Sequence, residues 1–250
     1  MRKIFGKEQL GKMFSEIGSM LQAPMEVYLL GGGAMCFRDQ KAATKDLDLV
    51  FDNKKDCILF TSALQKLGFV KDTSPTWEYA GMMAEGGIWK DEDDHMFDLF
   101  VNKVCDALFL SDAMKARAVL LGKFENLDVK MVSNEDVILF KGITERARDV
   151  DDIVLVVRLA KIDWRIILDE CIAQSEETVW HGLLYNKLVE MKDKHGVDSP
   201  IRRTLLNLDR RALMKEAYSR YLAEGLSRDE ALKRFAKLGF TKKEIEKYGI

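Results

Sequence analysis

The stretch from Val27 to Phe51, VYLLGGGAMCFRDQKAATKDLDLVF, restricts the fold more than any other part of the chain. Val27 to Leu30 is apolar, too short for a helix and followed by glycine, so it reads as a buried strand. Gly31, Gly32 and Gly33 then turn the chain into a short helix predicted near Ala34 to Arg38. Leu47 to Phe51 is a second apolar run and a second strand, opened by Asp46-Leu47-Asp48. Successive side chains of a strand alternate between faces, so Asp46 and Asp48 project from the same face. Two carboxylates side by side repel, a cost that is tolerable when a hard cation sits between them. Magnesium suits the pair, because it takes few carboxylates and completes its shell with phosphate oxygens and water. At Gly31 and Gly32 the backbone lacks side chains and can approach a triphosphate closely. An Asp-x-Asp alone is common on exposed strand ends, and a Gly-Gly turn alone says less. Their order carries the signal: apolar strand, glycine pair, 13 intervening residues, then alternating aspartate and apolar residues.

Around this stretch the chain falls into two halves. Residues 7 to 22 read as an amphipathic helix with Leu10, Met13, Phe14, Ile17 and Leu21 on one face and Pro24 beyond its end. Residues 54 to 67 read as another helix, closed by Gly68. From 69 to 132 the pattern becomes short strands, predicted at 76–81, 86–90, 96–102, 117–121 and 127–132. Ser133 with Asp136 three residues on forms a capping box before an apolar run, and helices are expected from there to the end. Ser199-Pro200, Ser227 with Glu230 and Thr241 with Glu244 open later helices. The fold class is α+β: a mixed sheet flanked by helices, then a helical region, with domains drawn at 1–140 and 141–250.

Composition narrows the function classes. The net charge of -2 does not announce a nucleic-acid binder. The C-terminal part from residue 198 holds 13 Lys or Arg against 8 Asp or Glu, so it could touch RNA or an acidic partner, or simply be a solvated helical face. Cys36, Cys57, Cys105 and Cys171 have no zinc spacing and no close pairing, so reduced thiols and a cytoplasmic location are expected. The three histidines are too scattered to suggest a metal cluster. No apolar run approaches the roughly 20 residues that span a bilayer, and no apolar segment follows Arg2 and Lys3 as in a secretion signal.

The glycine pair followed a dozen residues on by Asp46-x-Asp48 resembles the signature of DNA polymerase β-type nucleotidyltransferases. The resemblance implies a third carboxylate on a later strand. Asp98, in HMFDLFV, is the candidate, and the acidic run Asp91 to Asp94 reads instead as a solvated turn. NEDVILFKGITERARDVDDI, residues 134 to 153, resembles a segment of the AbiEii-like branch, the abortive-infection and type IV toxin–antitoxin group. The matching residues are Glu135, Asp136, Lys141, Arg148, Asp149 and Asp152. Thr44 precedes the acidic pair as in that branch, with Lys45 beside it, but Ala42 stands where the branch carries arginine, with Lys41 and Arg38 as possible substitutes.

That likeness implies transfer of an NMP from an NTP to an acceptor, with two magnesium ions, or manganese, between the carboxylates and the triphosphate. Asp46, Asp48 and Asp98 would be the catalytic and metal residues. Gly31, Gly32, Thr44, Lys45, Lys141, Arg148 and Asp149 would bind nucleotide, with Lys141 and Arg148 neutralising phosphate. For the last three, a helix-surface salt network is the competing reading. The acceptor could be a tRNA end, a protein hydroxyl or a small molecule, and a cognate toxin or antitoxin could be a partner. The rival class is a catalytically silent module of the same fold, binding RNA or protein through its basic C-terminal helices. A nuclease or phosphatase would need a His or Lys base at a spacing the sequence lacks.

Overall fold

The computed structural model describes residues 6–73, 86–93, 95–144, 146–175 and 180–247. In chain order the elements are α1 (Lys7–Met20), β1 (Met25–Leu29), α2 (Gly31–Phe37), β2 (Asp46–Phe51), α3 (Lys54–Lys66), β3 (Val70–Lys71), β4 (Gly87–Lys90) and β5 (Met96–Val101). They continue with β6 (Lys103–Val104), β7 (Leu108–Phe109), α4 (Asp112–Arg117), β8 (Val119–Phe124), β9 (Leu127–Met131), α5 (Asn134–Gly142) and α6 (Arg148–Leu159). The last are α7 (Trp164–Ala173), α8 (Trp180–His195), α9 (Arg202–Ala223), α10 (Arg228–Lys237) and α11 (Lys242–Lys247). No helix among the described residues is long and apolar enough to cross a membrane.

The α+β expectation holds. The strands form one mixed sheet in the order β3-β4-β5-β2-β1-β9-β8, with β6 and β7 attached beside β5. β2 runs parallel to β5, and β1 parallel to β9 but antiparallel to β2. Alternation sends Leu47, Leu49 and Phe51 to one face of β2, and the parallel register places Phe97, Leu99 and Val101 beside them. Helix α3 covers that face: the Phe60 ring meets Phe51 at 5.1 Å and Phe97 at 6.0 Å between centroids, both edge-on. All three rings are fully buried, each contributing roughly 1.5–3 kcal/mol of transfer free energy. Helix α1 packs farther along, its Phe14 ring 5.4 Å from Phe124.

Two local expectations change, and a third is not tested. Helix α2 begins at Gly31 rather than Ala34, because Gly33 packs against Leu29 and Leu47 with no room for a side chain. Residues 117–121 are not one strand: Arg117 ends α4, and β8 starts at Val119. The strand predicted at 76–81 lies outside the described residues.

The chain divides into two compact units, Met1–Ile167 and Leu168–Ile250. That division falls later than residue 140 because α5 and α6 belong with the sheet: α5 contacts α2 and α6, and Lys141 of α5 pairs with Asp149 and Asp152 of α6. In the second unit α8 packs along α9, and Met214, Phe235 and Ile245 form a small core ringed by Tyr218, Tyr221, Leu232 and Phe240. His181 of α8 is buried, and among the described residues neither ring nitrogen has a hydrogen-bond partner. Burial holds its imidazole below the ordinary range, against the pull of Asp209.

One ion pair anchors the start of α5. Asp136 is almost wholly buried, completes a capping box by accepting from the amide of the N-cap residue Ser133, and accepts from Nε and Nη2 of Arg117, with Nε at 3.0 Å. Removing one partner of such a pair leaves a buried charge uncompensated. Arg117→Met is therefore expected to lower the unfolding free energy by about 3 kcal/mol, and Arg117→Met with Asp136→Asn to recover a good part of it, as measured by urea denaturation.

Candidate active site

The carboxylates come together through sheet register. Asp48 of β2 pairs in register with Asp98 of the parallel strand β5, and Asp46 lies one alternation earlier on the same face. That face is opposite the one buried under α3. Adjacent strands lie about 4.8 Å apart, so Asp98 stands beside Asp48. Asp91, from the rival acidic run, is committed to its own turn, where it accepts from the amides of Asp93 and His95 and contacts His95 Nδ1 at 2.6 Å. Burial among protein atoms raises the Asp48 carboxyl well above the usual range, and repulsion from Asp46 and then Asp98 adds to it. Lys141 and Arg146 offset this only in part.

The glycines have a different first role from the one their sequence suggests. Leu30 donates its amide to the Asp48 carbonyl at 3.1 Å, fixing the end of β1 against β2. Gly31 follows with φ of 58°, and a Cβ there would lie 2.1 Å from Asp48 Oδ2. A Cβ on Gly32 would lie 2.4 Å from Thr44 Oγ1. The missing side chains thus make room for the site's own residues. Thr44 is buried and its hydroxyl donates to the Asp46 carbonyl at 3.0 Å, which orders the entry to β2.

A cavity of about 260 Å³ opens in front of these groups. Gly32, Thr44, Lys45, Asp46 and Asp48 line one side, and Lys141, Arg148 and Asp149 line another. Gly31 and Asp98 are not among its lining residues, and each adjoins Asp48, which is. Of the two cations considered for the place of Ala42, Lys41 lines the cavity, whereas Arg38 donates to the carbonyl of Val132.

The cations are organised around α6. Lys141, 7% exposed, donates to Asp149 at 3.1 Å and to Asp152 at 2.6 Å. Asp149 also accepts from Arg146 Nε at 3.0 Å and from the Thr144 hydroxyl, and Asp152 from Lys41 at 3.0 Å. Burial works against the charge on Lys141, but Asp149 and Asp152 outweigh it and hold the ammonium above its ordinary range. Burial likewise opposes ionisation of Asp149 and Asp152, and Lys141 above all keeps both below the carboxylate norm. Arg146 was not singled out by sequence; it lines the cavity, and its field reaches Asp48. Its only signal was its place between Lys141 and Arg148 in a charged loop. Cys105 had none. It sits in the turn between β6 and β7 with φ of 52°, near enough to Asp48 and Asp98 to feel their charge. Burial first, and Asp48 next, push its thiol up to about 12, so it is an inert thiol at neutral pH.

Residues 8–194 match a protein family described as nucleotidyltransferase of unknown function (DUF6036). The chain belongs to that family. The match spans β2, β5, α5 and α6, and so takes in every residue of the cavity described above. No curated protein matches the chain. No group of three or more His, Cys, Asp or Glu among the described residues is gathered tightly enough to hold a metal ion by itself. Magnesium does not require one, since one or two carboxylates with phosphate and water complete its shell. The donors fit that ion: carboxylate oxygens on one face, with Asp48 raised by burial and then by the repulsion of Asp46 and Asp98, which a divalent cation would relieve.

A raised carboxyl pKa means that the folded state holds a proton which the unfolded state releases. Its stabilising contribution is complete below the unfolded value and disappears as pH rises through the folded one. In EDTA at pH 8, Asp48→Asn is therefore expected to melt above the wild type, with the gap closing as the pH is lowered. Thermal melts across that range check both signs.

Proposed function

We propose that this nucleotidyltransferase transfers an NMP from an NTP to a hydroxyl-bearing acceptor and releases pyrophosphate, using magnesium. The observation that carries the reading is the pairing of Asp48 with Asp98, with Asp46 on the same face, beside a cavity lined by lysine and arginine. Asp46 and Asp48 would hold the metal. When bound, magnesium would neutralise triphosphate charge and ease deprotonation of the attacking hydroxyl. Asp98 would take that proton as the hydroxyl oxygen attacks the α-phosphorus. The bond from the α-phosphorus to its bridging oxygen breaks, and that oxygen leaves with pyrophosphate. Lys45 and Arg148, both exposed at the cavity, would face the phosphates. Positioning and electrostatics would supply most of the rate.

The resemblance of residues 134–153 to the AbiEii-like branch supports a toxin–antitoxin setting, with RNA, a protein or a small molecule as acceptor. None of the four cysteines forms a disulfide among the described residues, which supports action in the cytoplasm. A second reading, a silent module of the same fold, draws support from two facts. Lys41, Lys141 and Arg146 are each paired with an α6 carboxylate, and no tight three-carboxylate group forms among the described residues.

Labelling of an acceptor extract or an acceptor library with α-³²P NTPs in magnesium tests the first reading. Asp46→Ala with Asp48→Ala is expected to cut incorporation roughly a thousandfold, the equivalent of about 4 kcal/mol of transition-state stabilisation. Undiminished labelling would sink the proposal. Calorimetry with ATP, GTP, CTP and UTP in magnesium separates the second reading, which expects none of them to bind.

A further inference from the structure

A second cavity, of about 170 Å³, opens on the sheet face that α3 covers. One wall is a side of α3. Lys54, Cys57, Ile58 and Thr61 follow the i, i+3, i+4, i+7 spacing that places side chains on one helix face. The other wall is the edge of the sheet. Lys71 of β3 pairs in register with Trp89 of β4, and Trp89 with Phe97 of β5, so the three share the face under α3. Asp98 follows Phe97 and so faces the other way. Among the described residues, this cavity and the one beside the aspartates have no lining residue in common.

Two glycines clear the space. A Cβ on Gly86 would lie 2.5 Å from Cys57 Sγ and 2.7 Å from Leu99 Cβ. Gly87 has φ of 88°, and a Cβ there would lie 2.4 Å from Lys71 Cε, so the lysine stem lies along its backbone. The polar groups of the walls are already used. Trp89 Nε1 donates to the Gly86 carbonyl at 3.0 Å, and the Thr61 hydroxyl to the Ile58 carbonyl at 2.9 Å. What remains on the walls is apolar: the Trp89 indole, Ile58, Val101 and the buried Cys57 thiol. Lys71 is the exception. It is exposed and makes no ion pair among the described residues, because its neighbour Asp72 is taken by Lys90 at 3.2 Å. Lys54 already has a partner.

We propose that this cavity binds a small apolar carboxylate, its ring or short chain inside and its carboxylate on Lys71. Size sets the body of the ligand. An apolar cavity of about 150 Å³ holds one benzene ring, and pockets for larger organic ligands start at about 300 Å³. The space here therefore takes one ring or a chain of about six carbons, and it excludes a nucleoside. Charge sets the head: a single unpaired ammonium matches a monoanion. The site stands or falls apart from nucleotidyl transfer.

Titration of the full chain with phenylacetate, hexanoate, phenylacetamide and acetate, followed by ligand-observed NMR, tests this. Phenylacetate or hexanoate is expected to bind saturably, and the stronger of the two tells ring from chain. Phenylacetamide keeps the shape without the charge, and acetate keeps the charge without the apolar body. Each should bind about tenfold more weakly or worse. Lys71→Met should weaken phenylacetate about tenfold and change phenylacetamide less than about twofold. Ile58→Trp should fill the cavity and abolish binding of both acids. Ile58 is 55% exposed and Lys71 has no ion pair to lose, so both variants should melt within about 4 °C of wild type. If Ile58→Trp fails to fold, Lys71→Met decides alone. Equal affinity for phenylacetate and phenylacetamide, or no binding of either acid, would overturn the proposal. So would full affinity in a folded Ile58→Trp, or displacement of the acid by magnesium ATP, since either outcome puts the anion elsewhere.

Discussion

The ammonium of Lys141, shut between Asp149 and Asp152, is the interaction on which the rest of the first unit depends. It joins α5 to α6 by two hydrogen-bonded ion pairs in a place where each charge alone would be strongly disfavoured. Because α5 is itself fixed at its start by Arg117 on Asp136, the helix is held at both ends by charge. The pair of helices then presents one wall of the cavity, and the sheet presents the other. Removing Lys141 would take the shared buried cation from two carboxylates at once, which makes it a residue of the architecture as much as of the site.

Opposed to that network of opposite charges stands a cluster of like ones. Asp46, Asp48 and Asp98 share a sheet face, and Asp48 is raised by burial first and by its neighbours next. On one side of a small cavity anions repel one another, and on the other cations already have partners. A ligand carrying both a divalent cation and several negative charges answers both sides. That complementarity supports a metal–polyphosphate substrate more strongly than either wall does separately.

Much of this was legible in the sequence, for identifiable reasons. The strands carrying Asp46, Asp48 and Asp98 show apolar alternation that only a sheet satisfies, and the 3.6-residue periodicity of α1 and α3 is clear. The register that sets Asp98 beside Asp48 is not local information; it came only through likeness to known nucleotidyltransferases. Strands β3, β6 and β7 have two residues each, too few for any period, and α4 has six. Glycines at 31, 32 and 33 argue locally against a helix, and tertiary packing against Leu29 and Leu47 overrides them. The density of charge from Lys141 to Asp152 was visible, but which lysine meets which carboxylate depends on how α6 turns back on α5. Arg146 therefore came into view only with the fold, as did the choice of Lys41 over Arg38 at the cavity.

The parallel pairing of β2 with β5 carries a kinetic consequence. Phe51 and Met96 bound an intervening segment that includes α3, β3 and β4, so the pair forms only after a long loop has closed. Until then Asp46 and Asp48 are far from Asp98 and feel little of its charge. The mutual repulsion of the three carboxylates is absent from early, locally ordered states and is imposed as the sheet completes. The chain thus assembles its most unfavourable electrostatic feature late, after aromatic burial under α3 has begun to supply the free energy that holds it.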